Sequence, residues 1–321
     1  MDIVRFLAVL CKHGQRCFVY PGSLNGMTSE IESPDRWQLP YEHVQLTTSD
    51  NVKLKALLFV QRRHVENATD IRTTATNDKE FASRRPTCIV FHGNAEAYYD
   101  GVVFARILYL RLRCNVLLAS YRGYGDCTGT PSEAGIQIDS QTMLDHVCNH
   151  EVLGPSPKML YGLSLGGAVA IDLASRNPEL IHGVAVENTF LSLPKMLPVL
   201  MPALGKFKFL VKDKWRSEVN VTKIPASTPL VFLSGALDEI VPPEHMKQLY
   251  EISKSSAELS VAAAAAGKGG GEGKSVEAKR TFVLFENGHH NDTWTQPTYR
   301  KALREFVDSV VIAYREKINH P

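Results

Sequence analysis

The sequence predicts an α/β fold in which helices flank a mostly parallel central sheet, with a small cap inserted in the second half of the chain. Three observations predict it. Short apolar runs recur along the chain, and some, such as residues 88–91 and 116–120, lack polar alternation, which suits strands buried on both faces. Between these runs lie longer segments whose apolar residues recur at helical spacing. The two patterns alternate, as they do when parallel strands are joined by crossover helices. With 44% hydrophobic and 22% charged residues over 321 positions, the chain can bury a sizeable core.

The elements follow in order. Residues 41–46 and 52–60 read as two strands joined by a Ser49-Asp50-Asn51 turn. Residues 61–86 are polar and charged and read as a surface loop. The buried strand 88–91 runs into His92-Gly93-Asn94, and a helical pattern covers 98–112. Strand 116–120 ends at Tyr121-Arg122-Gly123-Tyr124-Gly125. Pro131-Ser132-Glu133 reads as a helix start, with Leu144, Val147 and Cys148 on the apolar face. Strand 158–161, helix 165–176, and strands 182–187 and 230–234 come next, then a helix carrying Met246, Leu249 and Tyr250. Residues 282–285 form the last strand, and the final helix carries Leu303, Phe306, Val307, Val310 and Tyr314. Two segments interrupt this rhythm. Residues 190–218, rich in Pro, Met, Leu and Lys, read as the cap, and residues 253–279, with Ala and Gly runs, read as a low-complexity, disordered surface insertion. Residues 37–318 thus form one domain behind an N-terminal segment, 1–36.

Ligands of such a sheet sit beyond the carboxyl ends of its strands, where the chemically suggestive residues fall. Gly162-Leu163-Ser164-Leu165-Gly166 puts a serine on a tight strand-to-helix turn, with glycines where its neighbours crowd it. This is the nucleophile turn of the α/β-hydrolase fold, whose acid and histidine follow the serine in that order. Asp238, three residues past Gly235 at the end of a strand, is the candidate acid, and Glu239 is its rival. His289 and His290, after the last strand, are both candidates for the base; neighbouring side chains diverge and no third ligand is suitably spaced, so no metal is expected. Acyl transfer needs donors for an oxyanion, and the backbone N–H groups of Leu165 and Asn94 are the candidates. No cofactor is implied.

These residues resemble the fungal bud-emergence α/β-hydrolase family and its animal relatives, some of which are palmitoyl-protein thioesterases. The resemblance spans residues 20–314 and rests on Tyr20-Pro21-Gly22, Leu39-Pro40-Tyr41-Glu42, Phe91-His92-Gly93-Asn94-Ala95 and Tyr121-Arg122-Gly123-Tyr124-Gly125. It continues through Glu187-Asn188-Thr189-Phe190, Asp213-Lys214-Trp215, Phe232-Leu233-Ser234-Gly235 and His290-Asn291-Asp292-Thr293-Trp294. In the family pattern the catalytic histidine directly precedes Asn-Asp, which implies His290 rather than His289. The chain departs from its relatives in a shortened, charged N-terminal apolar segment and in the Ala/Gly/Lys insertion before the last strand.

The resulting expectation is an acyl-ester or thioester hydrolase working through Ser164, His290 and Asp238. Two other readings stand beside it: a serine aminopeptidase-like enzyme gripping a peptide amino terminus with Glu187, and a non-catalytic interaction protein on the same scaffold. The formal charge of +2 gives no field that would draw nucleic acid. Residues 3–11 are apolar apart from Arg5, too short to span a bilayer, with no clear cleavage site after them; a truncated anchor or an interfacial segment is expected rather than a secretory signal. With Lys195, Lys206 and Lys208 in a greasy cap, this points to peripheral membrane contact or a cytoplasmic location. The six cysteines, Cys11, Cys17, Cys88, Cys114, Cys127 and Cys148, are expected as free thiols.

Overall fold

A computed structural model describes residues 19–23, 34–37, 39–63, 78–202, 205, 209, 211–267 and 279–319. The N-terminal apolar run, Cys11, Cys17, Lys206 and Lys208 lie outside the described residues. Eight strands form one sheet in the order β1-β2-β4-β3-β5-β6-β7-β8. They are β1 (Glu42–Thr47), β2 (Lys53–Phe59), β3 (Thr87–Phe91), β4 (Asn115–Ala119), β5 (Lys158–Leu163), β6 (Gly183–Glu187), β7 (Leu230–Gly235) and β8 (Arg280–Phe285). β2 runs antiparallel to β1 and β4, and all other neighbours are parallel.

The helices are α1 (Lys79–Ser83), α2 (Val102–Leu110), α3 (Glu133–Asn149), α4 (Leu165–Arg176), α5 (Leu193–Leu200), α6 (Ser217–Asn220), α7 (Pro243–Gly267) and α8 (Tyr299–Asn319). Strand residues alternate between two cores. Ile89 and Phe91 of β3 join Leu117, Leu160, Val184 and Phe232 beneath α3, α4 and α7. Cys88 and Val90 join Val116, Met159, Tyr161 and Val231 on the other face, beneath α2 and α8. α8 covers its side with the buried stripe Tyr299, Ala302, Leu303, Phe306, Val307 and Val310.

Three sequence expectations need correction. Residues 61–86 are not all loop, because α1 forms at 79–83 with Asp78 as its N-cap, accepting from the Phe81 N–H at 2.8 Å. Helix α2 begins at Val102 rather than near 98, because Asp100 Oδ2 accepts from the Ala97 N–H at 2.7 Å and Ser120 Oγ from the Tyr98 N–H at 2.8 Å, which folds that stretch into turns. The start of the low-complexity insertion is helix: α7 runs on through Gly267, since an alanine run is an excellent helix former even without tertiary contacts. Residues 268–278 lie outside the described residues.

Chain direction in the sheet reverses beside β3. From β3 the chain crosses to β4 on one side, and β5 then pairs with β3 on the other. This opens a crevice at the carboxyl ends of β3 and β5. Phe91 at the end of β3 is directly opposite Gly162 of β5, so the loop at His92 and the turn at Ser164 leave the sheet side by side.

Candidate active site

Ser164 caps α4 with φ 53° and ψ −115°, a backbone state an L-residue adopts only under constraint. The constraint comes from its neighbours. A Cβ on Gly162 would overlap the Gly166 carbonyl, and one on Gly166 would overlap the Phe91 carbonyl. Ser164 is held from below as well: its N–H donates to the Glu187 carbonyl at 2.9 Å, and its own carbonyl accepts from Thr189 Oγ1 at 2.7 Å. The side chain is thereby presented to a cavity of about 300 Å³ beyond the sheet.

His290 lines the same cavity and is 4% exposed. Its Nδ1 lies 2.9 and 2.8 Å from the two carboxylate oxygens of Asp238, which is 9% exposed. Asp238 Oδ1 also accepts from the N–H groups of Ile240 at 2.9 Å and Val241 at 2.8 Å, which fixes the carboxylate in place. Glu239 points elsewhere. Its Oε2 meets the exposed His289 ring at 3.3 Å and the His290 N–H at 3.3 Å. With Nδ1 committed to Asp238, His290 has Nε2 left for a second partner. Among the described residues Ser164 Oγ makes no hydrogen bond, an arrangement common in catalytic pairs before substrate arrives.

The turn after β3 supplies the facing wall. His92 is buried, with Nδ1 2.8 Å from the Gly93 carbonyl and Nε2 accepting from the Tyr121 N–H at 3.4 Å. Burial drives its pKa down to about 4, so the ring is a neutral strut of the loop. The Gly93 N–H is taken by Glu96 Oε2 at 2.7 Å. The Asn94 side chain is held at both ends, donating to the Val19 carbonyl at 2.8 Å and accepting from the Tyr124 hydroxyl at 2.5 Å. Asn94 and Leu165 both line the cavity.

Sequence reasoning gave no role to Asn188, which sits beside the site. Asn188 has φ 46°, and its Nδ2 donates to the carbonyls of His289 and His290 and to Thr293 Oγ1 at 3.0–3.1 Å, while its Oδ1 accepts from the Gly235 N–H at 2.8 Å. It ties the loop bearing Asp238 to the loop bearing His290. Its quoted place in Glu187-Asn188-Thr189-Phe190 was the available signal. Glu187 has a different role from the peptide-gripping one considered for it. It is fully buried beneath the Ser164 turn, accepts from the hydroxyls of Tyr161 and Tyr299, and does not line the cavity. Burial pushes its carboxyl up to about 7.

The remaining cavity walls are mostly apolar, Val19, Leu163, Phe190, Leu193, Met196, Leu200 and Val241 among them, with Glu96 and Asn291 as polar exceptions. Leu200 and Ile240 are 55% and 38% exposed, so the mouth is greasy too. A larger surface cleft of about 750 Å³ lies against β1 and α3, and none of the candidate residues lines it. Among the described residues no group of three or more His, Cys, Asp or Glu side chains could hold a metal ion, and no helix is long and apolar enough to cross a membrane. Cys88, Cys114, Cys127 and Cys148 are free thiols.

Known proteins share this framework. A family profile described as alpha/beta hydrolase fold matches residues 86–227. Protein bem46 of Schizosaccharomyces pombe is 33% identical over 295 residues, covering 91% of this chain and 85% of that protein. An uncharacterized membrane protein of Saccharomyces cerevisiae is 34% identical over 295 residues, covering 92% of this chain and 89% of that protein. Among solved structures, an esterase of Pyrococcus furiosus superposes with a TM-score of 0.62 at 18% identity, covering 87% of this chain and 94% of that one, a likeness of fold.

Proposed function

The chain belongs to the Bem46-like family of α/β hydrolases, and on that premise we propose that it is a serine hydrolase cleaving acyl esters or thioesters. One observation carries the reading: a buried histidine, held by a buried aspartate, lines the same largely apolar cavity as a serine in a strained turn. Ser164 Oγ attacks the substrate carbonyl carbon as its proton passes to His290 Nε2. The developing oxyanion is met by the N–H groups of Leu165 and Asn94. Collapse breaks the C–O or C–S bond, and the leaving alkoxide or thiolate takes the proton from His290. His290 then deprotonates water, which attacks the acyl-enzyme, releases the acid and restores Ser164. Asp238 keeps the ring oriented and stabilises its charged form throughout.

The apolar cavity favours an acyl chain as the bound group. The exposed Leu200, on the same helix as Lys195, together with the exposed Ile240 and Phe209 and the membrane-protein relative in yeast, supports peripheral attachment to a lipid surface. A fluorophosphonate probe tests the core of the proposal. It should label the wild-type protein and not Ser164→Ala; equal labelling of both would defeat it and return the chain to the non-catalytic reading.

A further inference from the structure

The Tyr20-Pro21-Gly22 segment lies far from every candidate catalytic residue in sequence, yet it packs on the turn that carries Asn94. Val19 and Pro21 are themselves walls of the cavity. The Val19 carbonyl receives the Asn94 side-chain amide, and the Tyr124 hydroxyl holds the other end of that amide. Gly22 sits so close that a Cβ there would overlap the Asn94 carbonyl and lie 3.0 Å from the Tyr124 ring and 3.1 Å from the Ala95 Cα.

The segment is fastened at its other side to the base of the cap. Tyr20 is 1% exposed and accepts from Trp215 Nε1 at 3.0 Å. Trp215 is equally buried, at φ 42°, and the N–H groups of Lys214 and Trp215 both donate to the Glu133 carboxylate at the start of α3. Asn94 therefore does not rest on its own turn alone. Its peptide is set by a strap anchored in two other elements.

We propose that residues 19–22 are a positioning element of the active site, holding the Asn94 peptide where its N–H meets the oxyanion. The inference rests on the hydrolase reading above, with Asn94 as the second oxyanion donor. Oxyanion donors act only on charge that develops in the transition state, so a displaced Asn94 peptide lowers kcat, whereas a change confined to the Val19 and Pro21 walls of the cavity raises KM.

The test uses the full chain with Gly22→Ala and Tyr20→Phe, neither of which touches the triad. The substrate is a p-nitrophenyl acyl ester, and an alkylboronic acid reports the affinity for a tetrahedral adduct. Loss of one oxyanion donor costs about 10²–10³-fold in rate, and a displaced donor should cost about 10-fold or more. Gly22→Ala should therefore lower kcat by at least that factor with KM within about twofold, and boronate affinity should fall by a matching factor. Tyr20→Phe should show the same split to a smaller degree, and it carries the test if Gly22→Ala melts early. Wild-type kcat and boronate affinity in a folded variant overturn the proposal, as does a loss that appears only in KM. Ser164→Ala run alongside separates the two failures: labelling that survives it sinks the hydrolase reading, whereas labelling that depends on Ser164 leaves a negative result against the strap alone.

Discussion

Two adjacent histidines and two adjacent acids sort themselves by geometry. Asp238 grips the buried His290, and Glu239 meets the exposed His289. Replacing His290 by Ala should lower kcat by roughly 10³-fold or more, the scale of losing a triad member, while His289→Ala should stay within a few-fold of wild type. Steady-state kinetics of the two variants checks this, and the reverse ranking would overturn the assignment. Asp238 and Ser164 were legible because each sits at a fixed offset from a glycine after an apolar strand. Choosing between the histidines needed family resemblance, since both follow the same strand and neither spacing nor polarity distinguishes them. Glu187 was legible as a strand-end residue that could serve a ligand, but its burial was not, because which way a strand's last side chain turns depends on what packs against it. Its burial has a consequence for pH. With the folded-state carboxyl raised to about 7 against an ordinary 4.5, the folded chain holds a proton the unfolded chain has lost. Stability is therefore drained as pH rises from about 4.5 to about 7 and is flat above. A Glu187→Gln substitution should raise Tm more at pH 8 than at pH 4.5, by an amount on the order of 3 kcal/mol in stability between those limits. Calorimetry at the two pH values reads this directly, and an equal shift at both would show that burial does not perturb the acid.

At the level of elements, the strands and most helices follow the sequence to within a residue or two, because buried parallel strands are continuous apolar runs and caps such as Ser132 are local. Ser132 Oγ accepts from the Gly135 N–H at 3.1 Å and starts α3 where Pro131-Ser132-Glu133 suggested. The insertion before β8 was misread because low complexity in composition does not preclude helix when the repeated residue is alanine. α7 also makes core contacts inside the span read as a disordered insertion. Ser253 is buried and accepts from Arg280 Nε at 2.8 Å, and Ala257 is buried against the core. Beyond it, residues 258–266 are almost entirely exposed. Deleting residues 261–278 behind a flexible Gly/Ser link should leave kcat within about twofold and Tm within a few degrees, as surface changes usually do. A deletion that extends back through Ser253 should instead leave the buried Arg280 Nε–H without its acceptor and destabilise the fold by about 1–3 kcal/mol. Chemical denaturation of the two variants distinguishes them; equal stability would mean Ser253 carries no weight.

For the molecule as a whole, the fold class was legible because the alternation of buried strands and amphipathic helices is a property of the entire chain. The strand order was not, since nothing local says that β5 returns to pair with β3. The apolar mouth of the cavity is likewise an assembled property, drawing Leu200 from the cap and Ile240 from the loop beside Asp238. If that mouth faces lipid, hydrolysis of p-nitrophenyl esters should improve with chain length through the medium range, at about 0.8 kcal/mol per buried methylene until the cavity is full. Anionic vesicles should sediment the protein at low salt and release it at high salt. Preference for acetate together with a protein that stays in the supernatant would mark a soluble small-ester hydrolase.

The sheet order also bears on when the protein can first work during its own synthesis. The turn after β3, the serine after β5 and the acid after β7 emerge from the ribosome in that sequence, but His290 follows β8, which is made after all of them. β8 must dock along β7, residue by residue from Arg280 against Leu230 to Phe285 against Gly235, before the imidazole reaches the carboxylate. On the proposed reading, a growing chain thus carries its candidate nucleophile for more than a hundred residues with no imidazole beside Asp238 to activate it. Ser164 then stays harmless to the acyl groups of its surroundings, and to a neighbouring nascent chain, until β8 has been made and docked.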